Sequence, residues 1–277
     1  MPVIRYNAQP ISWTKLLKLT LKTVVNNSNA FGVSPVETNR KVAFVAGCGH
    51  SGTTLLAATL SKHPDVFTVG RESKIFVPSK GLYCSREIAQ EWCYTAEQLG
   101  MSHIVEKTPK HVHTIERIHK LLPNARFVLM VRNPLDNCAS LHKRFGNLKL
   151  AVDRWIMDNK AVRAAKSKYP SAVKVLSYEE LTESPERSLH AVCSFLDLSW
   201  DPALLAEGDT VYDRNEQRRK NMAVRRDQVR EKIKPNTGKW KEILTHDQAE
   251  YIRGRVYELA DALGYNLFTI ENDVNEK

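Results

Sequence analysis

The 277 residues hold only five cysteines, and no two of them form a CxxC pair. That scarcity argues against a zinc site and against a disulfide framework. Free thiols are the expectation, with Cys84 and Cys93 the one pair open to bridging in an oxidising compartment. No stretch approaches the run of apolar residues that crosses a bilayer, and the first residues lack the uncharged apolar core and cleavage site of a secretory signal. A cytoplasmic protein is the default expectation. Internal repeats and low-complexity blocks are missing too, so nothing suggests a second domain.

What is present fits a globule long enough to bury a sizeable core. The formal charge of +10 is uneven: Arg214 to Lys241 carries eleven Lys or Arg against three acids, +8 of the total. Such a concentration selects an anionic partner, whether cofactor, acidic substrate, nucleic acid or lipid. A solvated helix face is the plainer reading of a charge run taken alone. Near the start, Trp13, Leu16, Leu17, Leu21 and Val24 recur at helical spacing with Lys15, Lys18 and Lys22 on another face. Packing against the fold is the more common outcome for such a helix, and contact of Trp13 to Val25 with a membrane surface is the alternative. Asn26 to Pro35 reads as a polar linker.

The chain is organised around VAFVAGCGHSGTTLL, residues 42–56. A β-branched and aromatic strand runs into a glycine-rich loop and a helix start. A helix N-terminus offers unpaired N–H groups and the positive end of its dipole to an anion, and Gly47, Gly49 and Gly52 let the backbone approach a phosphate closely. The loop almost spells the nucleoside-triphosphatase pattern GxxxxGK[ST], but Thr53 stands where the lysine belongs. His50 is the basic side chain instead. This is a phosphate cradle suited to something other than ATP hydrolysis.

Further strands and helices alternate along the chain, which argues for a three-layer α/β/α domain with a central parallel sheet. HPDVFTVG, residues 63–70, is a helix stop and a short strand, with Glu72 just beyond it. Ligands bind outside the carboxyl ends of such strands, so a carboxylate there is placed for chemistry; on spacing alone it is equally a surface partner of Arg71 or Lys74. Lys107 closes the strand from Ile104, and Thr108-Pro109 reads as the cap and first turn of one helix bearing Val112, Ile115, Ile118 and Leu122. A buried-type strand ends at Arg132, with Asn133-Pro134 capping the helix that carries Ser140. Thr245 and Gln248 form a capping box before the last helix.

These motifs resemble those of the sulfotransferases that use 3′-phosphoadenosine 5′-phosphosulfate (PAPS). His50-Ser51-Gly52-Thr53-Thr54 is similar to that family's 5′-phosphosulfate loop, which carries Lys or Arg where this chain has His50. VRNPLDNCAS, residues 131–140, resembles the 3′-phosphate motif, in which the arginine and the serine, here Arg132 and Ser140, grip the ribose phosphate. The segment to Glu72 resembles the protein-tyrosine branch, where the glutamate serves as base. EKTP, residues 106–109, resembles the glycosaminoglycan branch, where the lysine, here Lys107, lies at the reacting sulfuryl group. Tyr178 is similar to the adenine-contacting tyrosine, a core tyrosine being its alternative, and Gly238 and Lys239 to the loop that closes over the 3′-phosphate end.

The resemblance implies a P-loop-type sulfotransferase domain over residues 41–277, preceded by a helical extension and linker over 1–40. It implies metal-free transfer of a sulfuryl group from PAPS to a hydroxyl acceptor, leaving 3′-phosphoadenosine 5′-phosphate (PAP). In that reading Gly49, His50, Ser51, Gly52, Thr53 and Thr54 hold the phosphosulfate, Glu72 is the base, and Lys107 and His50 stabilise the leaving phosphate. His103 or His111 is the alternative base. The segment 71–103, with Tyr83, Trp92 and Tyr94, walls an acceptor that is a glycan, a peptide tyrosine, a lipid or a small molecule. A P-loop nucleotide kinase and a non-catalytic anion- or nucleic-acid-binding protein are the rival readings. The kinase lacks its lysine, and nucleic acid is not the expected partner.

Overall fold

A computed structural model of the chain describes residues 34–77, 85–208, 210 and 232–267. The helix expected over Trp13 to Val25, Tyr83, Cys84 and the basic run from Arg214 to Glu231 lie outside the described residues.

Five strands form one sheet: β1 (Lys41–Gly47), β2 (Val66–Thr68), β3 (His103–Lys107), β4 (Arg126–Val131) and β5 (Val173–Ser177). Their order is β2-β3-β1-β4-β5, and every pairing is parallel. The last six residues of β1 are all buried, as expected of a strand covered on both faces. Phe44 and Ala46 enter one core with Ile104, Phe127 and Leu129, whereas Ala43 and Val45 enter the other with Val105, Val128 and Met130. This alternation is the period of two that a pleated strand imposes.

Helices close both faces. α1 (Thr53–Leu60), α6 (Tyr178–Glu183) and α7 (Pro185–Leu196) cover one core through Leu56, Leu60, Leu181, Leu189 and Val192. α2 (Ser85–Gln98), α3 (Ile115–Leu121) and part of α5 (Leu148–Lys168) cover the other through Trp92, Ile118 and Val162. A third cluster joins α4 (Pro134–Phe145), α5 and α9 (His246–Asp261) around Trp155, and the short α8 (Trp240–Ile243) lies beside it. Each fully buried large side chain contributes about 1.5–3 kcal/mol. Residues 34–40 pack on this body: Val36 is buried and its N–H donates to the Leu121 carbonyl at 2.8 Å. Among the described residues no helix is long and apolar enough to cross a membrane.

Local signals explain most boundaries. Asn133 caps α4 by accepting from the Leu135 N–H at 2.9 Å, and capping boxes open α6 at Ser177 and α9 at Thr245. The single helix expected from Pro109 is instead a 3₁₀ turn, Pro109–His113, followed by α3. Thr108 does not cap it; its hydroxyl donates to Glu106, and the His111 ring is drawn inward to the same carboxylate.

The topology places the site. β1 lies between β3 and β4, the chain having travelled out to β2 and back before crossing over, so a crevice opens at the carboxyl ends of these three strands. Val45 is level with Lys107, and Gly47 with Met130. Gly47 has φ +125°, and a Cβ on it would drive into the main-chain oxygen of Met130.

Candidate active site

The loop after β1 is wound tightly. Gly47, His50 and Gly52 all have positive φ, at +125°, +68° and +84°. Gly49 does not share that conformation, but a Cβ added to it would meet no atom within 4 Å, so the space beside its Cα is open. At Gly52 a Cβ would lie 2.7 Å from Cδ2 of Tyr178. Thr53 starts α1 and is buried, and Thr54 is half-buried.

Arg132 leaves the end of β4 and turns toward this loop. Its guanidinium donates to the His50 carbonyl at 3.2 Å and to the Asn236 carbonyl at 2.6 Å, and it lies 4.3 Å from the centre of the Tyr178 ring. Its Nε is buried without a partner. Ser140, two turns into α4, meets the His50 imidazole with 2.6 Å between Oγ and Nδ1. Arg144 reaches the other ring nitrogen at 3.3 Å. Because a guanidinium only donates, that Nε2 accepts, so the proton sits on Nδ1 and Ser140 is left with its own O–H to give. His50 therefore faces the Ser140 side of the cradle.

The second half of the site lies across β1. Lys107, at the end of β3 and 1% exposed, places Nζ 3.3 Å from Oε1 of Glu72. Lys74 lies 3.5 Å from the other Glu72 oxygen. Burial pushes the Glu72 carboxyl up, but Lys107 and then Lys74 outweigh it and hold it below its ordinary value. The segment bearing Glu72 is anchored from beneath. The fully buried Glu106 accepts from the Ser73 N–H at 3.0 Å and the Ser73 hydroxyl at 2.7 Å. It also accepts from Thr108 at 2.7 Å and from His111 Nδ1 at 2.9 Å. His111 is thus sealed in the core against Phe44 and Phe76. His103 lies at the opposite end of β3, with Nε2 on the Leu196 carbonyl. Neither histidine reaches the crevice beside Glu72.

Residues from the C-terminal side complete the arrangement. Asp136, in the first turn of α4, accepts from the main-chain N–H groups of Gly238 at 2.8 Å and Trp240 at 3.1 Å. Gly238 takes φ +78°, and Lys239 is exposed at the start of α8. Burial raises the Tyr178 phenol, with Arg132 opposing. Around one cradle, then, stand a glycine with open space beside its Cα, a guanidinium whose Nε has no partner and a serine hydroxyl, the last two being donors suited to phosphate-like groups. Among the described residues no three His, Cys, Asp or Glu side chains gather as a metal-ligand set.

The sulfotransferase family model matches residues 82–202, the span that holds Lys107, Arg132, Ser140 and Tyr178. Over that span the chain is similar to the sulfotransferases. Protein-tyrosine sulfotransferase 1 of Danio rerio is 26% identical over 238 residues, 73% of this chain and 64% of that one. The chain spans about half the length of the curated relatives it matches. Two solved structures share the fold. The sulfotransferase domain from the Synechococcus PCC 7002 olefin synthase is 19% identical with a TM-score of 0.62, covering 86% of this chain and 99% of that one. The sulfotransferase domain from the curacin biosynthetic pathway is 20% identical with a TM-score of 0.58, covering 83% and 100%.

Some residues around the site were not singled out from sequence. Arg144 stands four positions after Ser140, so helical spacing alone places both on one face. Glu106 and Asp136 are acids where a strand end and a helix start meet the site, a readable signal once the strands are known. Ser51, expected to offer its hydroxyl to a phosphate, is wholly buried, and its oxygen accepts from Asn137 Nδ2 at 2.8 Å.

Proposed function

We propose that the protein transfers the sulfuryl group of PAPS to a hydroxyl-bearing acceptor. The observation that carries this reading is that Arg132 and Ser140 face the β1 loop across one cradle, with the Glu72–Lys107 pair at the neighbouring strand end. In this reading the 49–54 main chain and Thr54 receive the 5′ end of the nucleotide. Arg132, Ser140 and Arg144 receive the 3′-phosphate, with the loop around Gly238 and Lys239 closing beside them. Tyr178 lies where its ring supports Arg132 and the nucleotide side of the cradle.

PAPS, when bound, supplies a sulfuryl group on a phosphate that leaves readily without help from a metal. Glu72, ionised at neutral pH, takes the proton of the acceptor hydroxyl as its oxygen attacks in line. Lys107 stabilises charge growing on the departing side, a task that a fixed cation performs well in a water-poor crevice. His50, turned toward Ser140 and Arg144, supports the 3′-phosphate end, so the leaving-group role falls to Lys107. The relatives named for protein tyrosine favour an acceptor with a phenolic hydroxyl over the other classes.

Titration of the purified chain tests the proposal. PAP binds at least tenfold more tightly than AMP, and Arg132→Ala abolishes that preference, a loss of about ten- to a hundredfold for a charge-assisted phosphate contact. Radiolabelled sulfuryl donor offered with tyrosine peptides, glycans and phenols reads the transfer itself. Equal affinity for PAP and AMP in the unaltered protein overturns the assignment.

A further inference from the structure

One polar contact beneath the cradle has no part in the proposed chemistry. Asn137 lies on α4 three residues before Ser140, and its side chain is fully buried. Its Nδ2 donates to the Gly49 carbonyl at 3.1 Å and to the Ser51 hydroxyl at 2.8 Å. Its Oδ1 accepts from the Cys48 thiol at 3.4 Å. The orientation is forced, because a carbonyl only accepts and so the nitrogen must face Gly49. Burial, then the nearby Asp158, pushes the Cys48 thiol well up, which keeps its proton available for that contact.

The same loop is held at its next residue by Arg132 on the His50 carbonyl and by His50 on Ser140. Residues 48 to 51 are thus each tied to the β4–α4 unit. The loop needs such ties, because His50 is a non-glycine residue at φ +68° between Gly47 and Gly52, and a backbone of that kind persists only where its surroundings hold it. A wholly buried Ser51 Oγ and a Gly49 carbonyl stripped of their donor would add to the cost.

We propose that Asn137 is a positioning residue for nucleotide binding: through Gly49 and Ser51 it holds the loop's main chain in the shape that receives one phosphate, and through α4 it ties that shape to Ser140, which receives the other. The ligand's identity rests on the sulfotransferase reading above. The clamp on the loop rests on the hydrogen bonds alone.

The test is a double-mutant cycle on the full chain, comparing Asn137→Ala, Ser51→Ala and both together for PAP affinity by calorimetry. Each single change weakens PAP about tenfold or more. The double variant is no weaker than Asn137→Ala within about threefold, because both changes remove the same link. Losses that multiply overturn the proposal, since a side chain that merely fills space would act independently of Ser51. A second arm follows hydrogen exchange of the 49–54 amides without nucleotide. Asn137→Ala accelerates them while the amides of β1 and β4 keep their protection; unchanged loop exchange overturns the proposal equally. Should the alanine variant not fold, Asn137→Ser enters both arms with the same expectations. If the unaltered chain does not prefer PAP to AMP, the nucleotide assignment falls, and the exchange arm still decides whether Asn137 holds the loop.

Discussion

Lys107 Nζ lies 3.3 Å from Oε1 of Glu72, and this ion pair joins the end of β3 to the segment that follows β2. The ammonium is almost wholly buried, whereas the carboxylate keeps about a third of its surface, so the pair has a closed side and an open one. A proton acceptor and a fixed cation thereby share one wall of the crevice. With Lys74 on the other oxygen, Glu72 titrates below its ordinary 4.5 despite the opposing pull of burial.

Glu72→Gln is expected to lower sulfuryl transfer by about 10²- to 10⁴-fold, the span of a general base, while PAP affinity stays within about twofold. The pH dependence follows from the sign of the shift. With Glu72 as the proposed base the active form is the carboxylate, so transfer by the unaltered protein is expected to hold through neutral pH and to fall only as the pH drops through a value below 4.5. Initial rates across pH, with a parallel PAP titration, check both points, and full activity in the variant would assign the base elsewhere.

Lys107→Met removes the cation at nearly constant volume. Turnover is expected to fall about 10²- to 10³-fold if Lys107 stabilises the departing charge. The acid limb of the remaining activity should also move up, because Glu72 keeps its burial and loses its strongest attraction. A pH–rate profile of the variant reads that displacement directly. An unmoved limb would separate Lys107 from Glu72.

Glu106 governs stability rather than chemistry. Burial raises its carboxyl, but His111 and the hydroxyls of Thr108 and Ser73 outweigh that and leave it depressed. A depressed carboxyl stabilises the fold above its unfolded value near 4.5, and that contribution disappears as the pH falls through the lower folded value. Glu106→Gln is expected to cost about 3–5 kcal/mol at neutral pH, the range for breaking a buried charged network. Urea unfolding at neutral and acidic pH should show the difference from the unaltered protein shrinking in acid.

Asp136→Ala strips two main-chain N–H groups, those of Gly238 and Trp240, of their shared acceptor. A loss of about 1–3 kcal/mol is expected from the unsatisfied donors. PAP affinity should weaken with it, because the same segment supplies the Asn236 carbonyl that Arg132 holds. Denaturation and calorimetry on one preparation measure both, and a stability loss with unaltered PAP affinity would uncouple this loop from the cradle.

Local chemistry explains what was legible in advance. Asn133-Pro134 announces a helix start, so Arg132 before it and Ser140 within it follow from helix geometry, and the buried-type strands follow from their apolar runs. Glu72 and Lys107 are readable as strand-end residues, yet their pairing joins positions 35 apart and belongs to the order β2-β3-β1. The direction of His50 is also a product of packing: its sequence position suggests the leaving group, and the contact with Ser140, 90 residues on, turns it toward α4. Ser51 carries the same lesson, since nothing near it in sequence shows that Asn137 will cover its hydroxyl. Thr108 has the sequence of a cap and spends its hydroxyl on a carboxylate instead.

At Gly47 the two central strands touch backbone to backbone, with Met130 occupying the room that any side chain would need. Peptide atoms have no rotamers with which to yield, so that seam works as a ruler. It meters how far the glycine-rich turn stands from the arginine two residues beyond Met130. Even the smallest branch at position 47 would spread the gauge and shift the loop against Arg132.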